Sequence, residues 1–228
     1  MKKNFVYLSA LTIFTLITQK VNALNLSDKV YFKANIYTGA TLQVYTGDIE
    51  YIINQMKDYD NWQTQKMNYG VVAGFGGNIY YKVNNTTHFF IGIDAQGRYP
   101  FSHSDVFYEK YYSYATKSYK EVRFNIKELL VLSGKIGTKT VFNKNFALEK
   151  YVLLGANMIS YSYGEYGVKY RQRFGLVAGV GVNVVINDRY IVGLDYRYGS
   201  TKVIEEEILY LHDRIQTHNV TAKIGIYF

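Results

Sequence analysis

The chain has 228 residues, a formal charge of +8, 25 tyrosines and 13 phenylalanines against one tryptophan, 19 glycines, one proline and no cysteine. The missing cysteines exclude a disulfide scaffold, a thiolate metal site and a cysteine nucleophile, and the dispersed positive charge lacks the focused basic runs of a nucleic-acid binder. Abundant aromatics and a single proline favour uninterrupted strands, and a mean hydropathy of −0.14 is what a barrel with an apolar outside and a polar inside averages to.

In chain order, Lys2 and Lys3 precede an apolar run from Phe5 to Ile17, too short to cross a bilayer as a helix. Val21-Asn22-Ala23 then matches the small-residue pattern that a signal peptidase reads, so residues 1–23 are expected to be a cleaved signal peptide and 24–228 one barrel domain. No later segment approaches the roughly eighteen apolar residues of a spanning helix. Residence in a membrane would therefore use strands.

Side chains of a strand alternate between faces, so a lipid-facing strand should be apolar at every second position. The first segment places Val30, Phe32, Ala34, Ile36, Ala40, Leu42 and Val44 outward, with Lys33, Asn35, Tyr37, Gly39, Thr41 and Gln43 inward. The second places Met67, Tyr69, Val71, Ala73, Phe75, Ile79 and Tyr81 outward and turns at Asn84-Asn85. The third places Phe89, Ile91, Ile93, Ala95 and Tyr99 outward against Gly92, Asp94, Gln96 and Arg98. In the fourth, Val122, Phe124, Ile126, Leu130, Leu132 and Ile136 share a face that Glu128 interrupts, which points to a bulge near Glu128.

The fifth segment, Tyr151 to Tyr163, is apolar on both faces in its first half, leaving its register open. The sixth alternates Phe174, Leu176, Ala178, Val180, Val182, Val184 and Ile186 with glycines and Asn183. After Asn187-Asp188-Arg189, the seventh places Tyr190, Val192, Leu194, Tyr196 and Tyr198 outward against Asp195 and Arg197. The eighth ends on Val220, Ala222, Ile224, Ile226 and Phe228, opposite Asn219, Thr221, Lys223, Gly225 and Tyr227.

Short links near 83–88, 140–146 and 187–189 alternate with longer ones near 45–66, 100–119, 164–170 and 200–214. The predicted fold is all-β, an eight-stranded antiparallel up-and-down transmembrane β-barrel with short turns and both termini in the periplasm and long loops outside. A soluble lipocalin-like barrel would share the strand count but turn its apolar face inward. The glycines and charges of the polar face, the aromatics at strand ends and the final Phe228 favour lipid outside.

The stretch from Phe174 to Asn183, followed by Asn187-Asp188-Arg189-Tyr190 and Asp195-Tyr196-Arg197-Tyr198-Gly199, resembles the penultimate hairpin of opacity-like outer-membrane β-barrel proteins. Ser133-Gly134-Lys135-Ile136-Gly137 is similar to the fourth strand of that family, with Lys135 where arginine is commoner, and the likeness is best over residues 120–228. The resemblance implies a small outer-membrane barrel of the surface-antigen kind found in alphaproteobacteria and relatives. It also implies that the ending Lys223 to Phe228, with Tyr227 and Phe228 last, is the strand whose terminal aromatic the barrel-assembly machinery recognises.

Little in the sequence points to catalysis. His103-Ser104-Asp105 has the residue types of a hydrolase triad, but immediate neighbours cannot easily align as nucleophile, base and orienter. His88, His212 and His218 show no metal-ligand spacing, and Gly74-Phe75-Gly76 and Gly179-Val180-Gly181 open no helix, so no metal or cofactor and no enzyme is expected. Asp58 and Asp60 read as solvated loop charge.

By parity Lys33, Asp94, Arg98, Arg123, Lys127, Asp195, Arg197 and Lys223 face the lumen, where opposite charges should pair into a network. An eight-stranded lumen holds little beyond its own side chains. The expected function is therefore a surface-exposed outer-membrane protein with an envelope-structural and adhesin or surface-antigen role. A narrow pore is the alternative, and an outer-membrane enzyme a further one. The expected partners are outer-membrane lipid, the barrel-assembly machinery and a host-surface or matrix ligand, with no nucleic acid. The candidate contact residues are Phe107, Tyr108, Tyr111, Tyr112 and Tyr114 in the second long loop, where rigid amphipathic tyrosines mingle with lysines. The competing reading is that this stretch only extends the flanking strands and their aromatic belt.

Overall fold

The computed structural model describes residues 28–47, 62–64, 67–101, 105–113, 118–164, 171–202 and 214–228. At residues 47, 62–64, 105–113, 118–125, 127, 162–164 and 171 it describes the backbone alone. The expected signal peptide lies outside the described residues.

Among the described residues ten strands follow in chain order: β1 (Val30–Gly47), β2 (Trp62–Thr64), β3 (Met67–Lys82), β4 (Thr87–Pro100), β5 (Asp105–Ser113), β6 (Ser118–Val141), β7 (Phe146–Gly164), β8 (Arg171–Ile186), β9 (Tyr190–Lys202) and β10 (Arg214–Tyr227). Eight of them close a ring in the order β6-β4-β3-β1-β10-β9-β8-β7, with β7 pairing back to β6, and every pairing is antiparallel. The chain is thus a closed eight-stranded up-and-down barrel. The first and last strands seal it from Asn35↔Tyr227 to Gly47↔Ile215, and the Phe228 N–H adds a bond to the Ala34 carbonyl at 2.9 Å.

The alternation that defines these strands is realised with the apolar side outward. Phe75, Ile93, Leu154 and Phe174 are 63%, 71%, 69% and 75% exposed, whereas Asp94, Glu149, Asp195, Arg197 and Lys223 are buried. That inverts the distribution of a soluble domain, in which large apolar side chains are buried and charges exposed. The lipocalin-like alternative, with its apolar face inside, is excluded by it.

The interior is not uniformly polar. Tyr80, Phe90, Val131, Tyr151, Leu153 and Val177 form one buried apolar cluster, and Ala147, Val185, Ile191 and Tyr227 form another. Tyr151 and Leu153 settle the open register of β7: they point in, and Val152 and Leu154 point out.

Two sequence expectations need correction. The bulge lies where expected, between Glu128 and Leu130, but the outward face does not run through it. Ile126 and Glu128 are buried while Leu130, Leu132 and Ile136 are exposed, so Ile126 does not share the face of Leu130. An extra residue in one strand shifts the two-residue period by one, and here that turns a carboxylate inward instead of onto the apolar exterior. The second correction concerns the long links. The stretch 100–119 is not all loop, because β5 pairs with the start of β6 from Asp105↔Asn125 to Ser113↔Ser118, and β2 adds to β5 from Trp62↔Glu109 to Thr64↔Phe107.

The short turns are built from asparagine chemistry. Asn84 Oδ1 accepts from the backbone N–H groups of Thr86 and Thr87 at 2.9 and 2.7 Å, and Asn143 Oδ1 accepts from those of Asn145 and Phe146 at 2.8 and 2.9 Å. Asn187 and Asp188 have φ of 51° and 54°, a left-handed pair that these two residue types tolerate, and the Arg189 N–H closes the turn on the Ile186 carbonyl at 3.1 Å.

Candidate functional site

The lumen is filled in three tiers. At mid-height, Asp94 on β4 and Asp195 on β9 stand among Lys135 on β6, Arg197 on β9 and Lys223 on β10. Arg197 Nη2 donates to Asp94 Oδ2 at 3.0 Å and to Asp195 Oδ2 at 3.2 Å. Lys135 Nζ reaches Asp94 Oδ1 at 3.1 Å, and Lys223 Nζ reaches Asp195 Oδ2 at 2.9 Å. Two tyrosines complete the tier: Tyr37 donates to Asp94 Oδ2 at 2.8 Å, and Tyr151 donates to Asp195 while accepting from Lys223 Nζ at 2.7 Å. Both rings cross a glycine. A Cβ at Gly74 would overlap Tyr37, and one at Gly181 would overlap Tyr151 and Asp195.

Towards the short turns, Glu149 on β7 is held without a direct cation among the described residues. Its Oε1 accepts from the Tyr80 hydroxyl at 2.7 Å, and its Oε2 accepts from the Tyr227 hydroxyl at 2.7 Å and Asn183 Nδ2 at 3.0 Å. Tyr31 stacks on Tyr80 with ring centroids 4.7 Å apart and shares a 2.7 Å hydrogen bond with His88 Nδ1. At the mouth, Lys33 and Lys139 both bridge to Asp188. Burial raises the Asp188 carboxyl, but hydrogen bonds from Lys139 and Lys33 outweigh it and hold the group below its usual range.

Towards the long loops, Glu128 accepts from Asn157 Nδ2 at 2.9 Å and from Asn219 Nδ2 at 3.3 Å. Arg98 Nη2 donates to the Asn68 carbonyl at 2.9 Å, and Tyr45 donates to the Ile126 carbonyl at 3.3 Å. Among the described residues no group of three or more histidine, aspartate or glutamate side chains converges as metal ligands.

Of the eight charges expected to share one network, the structure brings Asp94, Asp195, Arg197 and Lys223 together. It places Lys33 apart, at the short-turn mouth, and Arg98 near the long-loop end on a backbone carbonyl. Arg123 and Lys127 lie outside the described side chains, as do Phe107, Tyr108, Tyr111 and Tyr112, whose backbone is in β5, while Tyr114 is outside the described residues altogether. Tyr227 points into the lumen onto Glu149, and Phe228 is 43% exposed on the outer face. Sequence reasoning placed Tyr37 and Tyr227 inside but missed Lys135, Lys139, Glu128, Glu149 and the lumen tyrosines Tyr45, Tyr80 and Tyr151. The outward Ile136 was the available signal for Lys135, since it puts its neighbour inside.

No protein-family model matches the chain, and no curated protein matches it. Among solved structures, it is similar to the attachment invasion locus protein Ail of Yersinia pestis, at 14% identity over 86% of this chain and 98% of that one with a TM-score of 0.44. It is also similar to neisserial surface protein A, at 10% identity over 86% and 97% with a TM-score of 0.43. The outer-membrane protease OmpT of Escherichia coli aligns at 9% identity over 88% and 96%, with a TM-score of 0.42. At these values the likeness carries no activity across.

Proposed function

We propose that this chain is an outer-membrane β-barrel with a closed lumen, non-enzymatic, that serves the envelope structurally and acts as an adhesin or surface antigen through its long loops. Its surroundings are outer-membrane lipid, it is assembled by the barrel-assembly machinery, and its short turns and termini face the periplasm. The observation that carries this reading is the pairing of an apolar exterior with a lumen tied wall to wall by buried ion pairs. A barrel of eight strands has no room for both that network and a water-filled path.

The adhesive part is supported by where the chain spends its extra residues. β2, β5 and the start of β6 continue the sheet beyond the segment in which β4 pairs with β6, which ends at Gly97↔Leu130. A tyrosine- and lysine-rich sequence is thereby carried on paired strands, a stiffer support than an open loop. Replacing residues 103–118 with a short Gly-Ser link should leave the barrel folded and abolish binding to host cells or matrix. Unchanged binding by the folded, loop-replaced protein would leave the structural role alone standing.

A further inference from the structure

The short-turn mouth holds a cavity of about 440 Å³ whose lining includes Tyr31, Lys33, Lys82, Lys139, Lys144 and Asp188. Four ammonium groups thus line the cavity with one carboxylate, and the Glu149 carboxylate adds a second negative charge from deeper in the lumen. Asp188 is already shared between two of them, Lys33 and Lys139, whose side chains are only 14% and 3% exposed. Lys82 Nζ lies over the Tyr31 ring, 5.4 Å from its centroid; Lys139 Nζ lies 5.9 Å from that ring and 5.4 Å from the Tyr80 ring, and Lys33 Nζ lies 5.6 Å from the Tyr227 ring. Ring faces are weaker partners than a carboxylate and do not neutralise these cations. Lys33 and Lys139 are the desolvated cations and Lys82 and Lys144 are exposed at the rim, and a concave site with that surplus positive charge is stabilised by an incoming anion.

The kind of cation narrows the anion. The cavity is lined by lysines and no arginine, so it offers separated point charges with rotatable donors in place of the planar fork that matches a carboxylate. Separated ammonium groups suit a tetrahedral, multiply charged oxyanion. We propose that this mouth is a binding site for a phosphate-bearing anion, supplied by a soluble phosphate compound or by a phospholipid headgroup. The site lies at the short-turn rim of the barrel, and it goes beyond the role proposed for the long loops. An anion there would share Lys33 and Lys139 with Asp188, so Asp188 acts as a resident competitor.

The test uses the full folded chain in non-ionic maltoside micelles, titrated calorimetrically with inorganic pyrophosphate and, separately, with dihexanoyl phosphatidylglycerol. Pyrophosphate should bind saturably, and affinity should fall steeply with added salt. The Lys82→Gln, Lys144→Gln double variant leaves the Asp188 bridges intact and should weaken binding by about tenfold or more. Asp188→Asn should do the opposite and tighten it, and Lys202→Gln, at the far rim, should change nothing. Pyrophosphate binding that the lipid does not displace would assign the site to soluble phosphates, and displacement by the lipid would assign it to headgroups. Absence of saturable binding by either probe, or binding indifferent to both mouth variants, would overturn the proposal.

Discussion

Arg197 on β9 donates to Asp94 on β4 at 3.0 Å, and these two strands stand four places apart in a ring of eight, on opposite walls of the barrel. The bond is therefore a strut across the lumen. With Lys135 on Asp94 and Lys223 on Asp195, the middle tier carries two carboxylates and three cations. Removing Arg197 leaves two one-to-one pairs, whereas removing either aspartate's charge leaves three buried cations on one carboxylate. Asp94→Asn and Asp195→Asn should each destabilise by about 3 kcal/mol or more, since each strands buried charge. Arg197→Met, which keeps much of the side-chain volume, should cost less. Urea unfolding in micelles measures the order, and a greater loss in Arg197→Met would contradict this pairing scheme.

Tyr227 and Phe228 are adjacent but point to opposite faces, which separates two roles. Tyr227→Phe removes one of three donors to Glu149 and should lower stability by about 1–3 kcal/mol while leaving insertion intact. Deleting Phe228 should instead reduce the amount of folded protein reaching the outer membrane, because that residue ends the closing strand on its lipid face. Heat-modifiable gel mobility of envelope fractions reads both effects. Normal assembly of the Phe228 deletion would remove the assembly role assigned to it.

Much of the barrel was legible because an apolar exterior imposes the two-residue period on one face of the strands. The outward sets of β3, β4, β8, β9 and β10 follow from that constraint alone, and the turns at Asn84 and Asp188 from the turn chemistry of their side chains. The interior was less legible, for physical reasons. Tyrosines such as Tyr80 and Tyr151 suit either face by composition, so nothing in the pattern marks them as partners of Glu149 and Asp195. Glu149 precedes the stretch whose register was open, and the strand-four parity failed because one inserted residue moves every side chain before it to the other face.

That insertion gives a further prediction. Deleting Leu129 restores an unbroken ladder between β6 and β7, yet it forces either Glu128 and Ile126 or the residues after them onto the wrong face. The deletion should sharply reduce folded barrel, judged by heat-modifiable mobility. Wild-type yield would show that the bulge has no part in placing Glu128 inside.

At the short-turn mouth, the Asp188 carboxyl titrates below its unfolded value because Lys139 and Lys33 hydrogen-bond to it, against the opposing effect of burial. A depressed folded-state value means that its stabilisation is present above the unfolded carboxylate pKa of about 3.9 and is lost as pH falls through the lower folded value. Amide exchange at Asn187 and Arg189 should therefore accelerate in the wild type only below about pH 4, after correction for intrinsic rates. Asp188→Asn tolerates the same left-handed backbone and should show faster exchange already at neutral pH, with no such acid step. An acid step that survives in Asp188→Asn would assign it to another group.

The closed lumen is tested most directly by conductance of the purified, folded protein in a planar bilayer. The Arg197–Asp94 strut and the surrounding pairs predict no sustained channel current, and charge reversal at Asp195 or Arg197 should destabilise the barrel more than it alters any ion flow. Sustained, ion-selective current in the wild type that shifts with those substitutions would contradict the account and establish a pore.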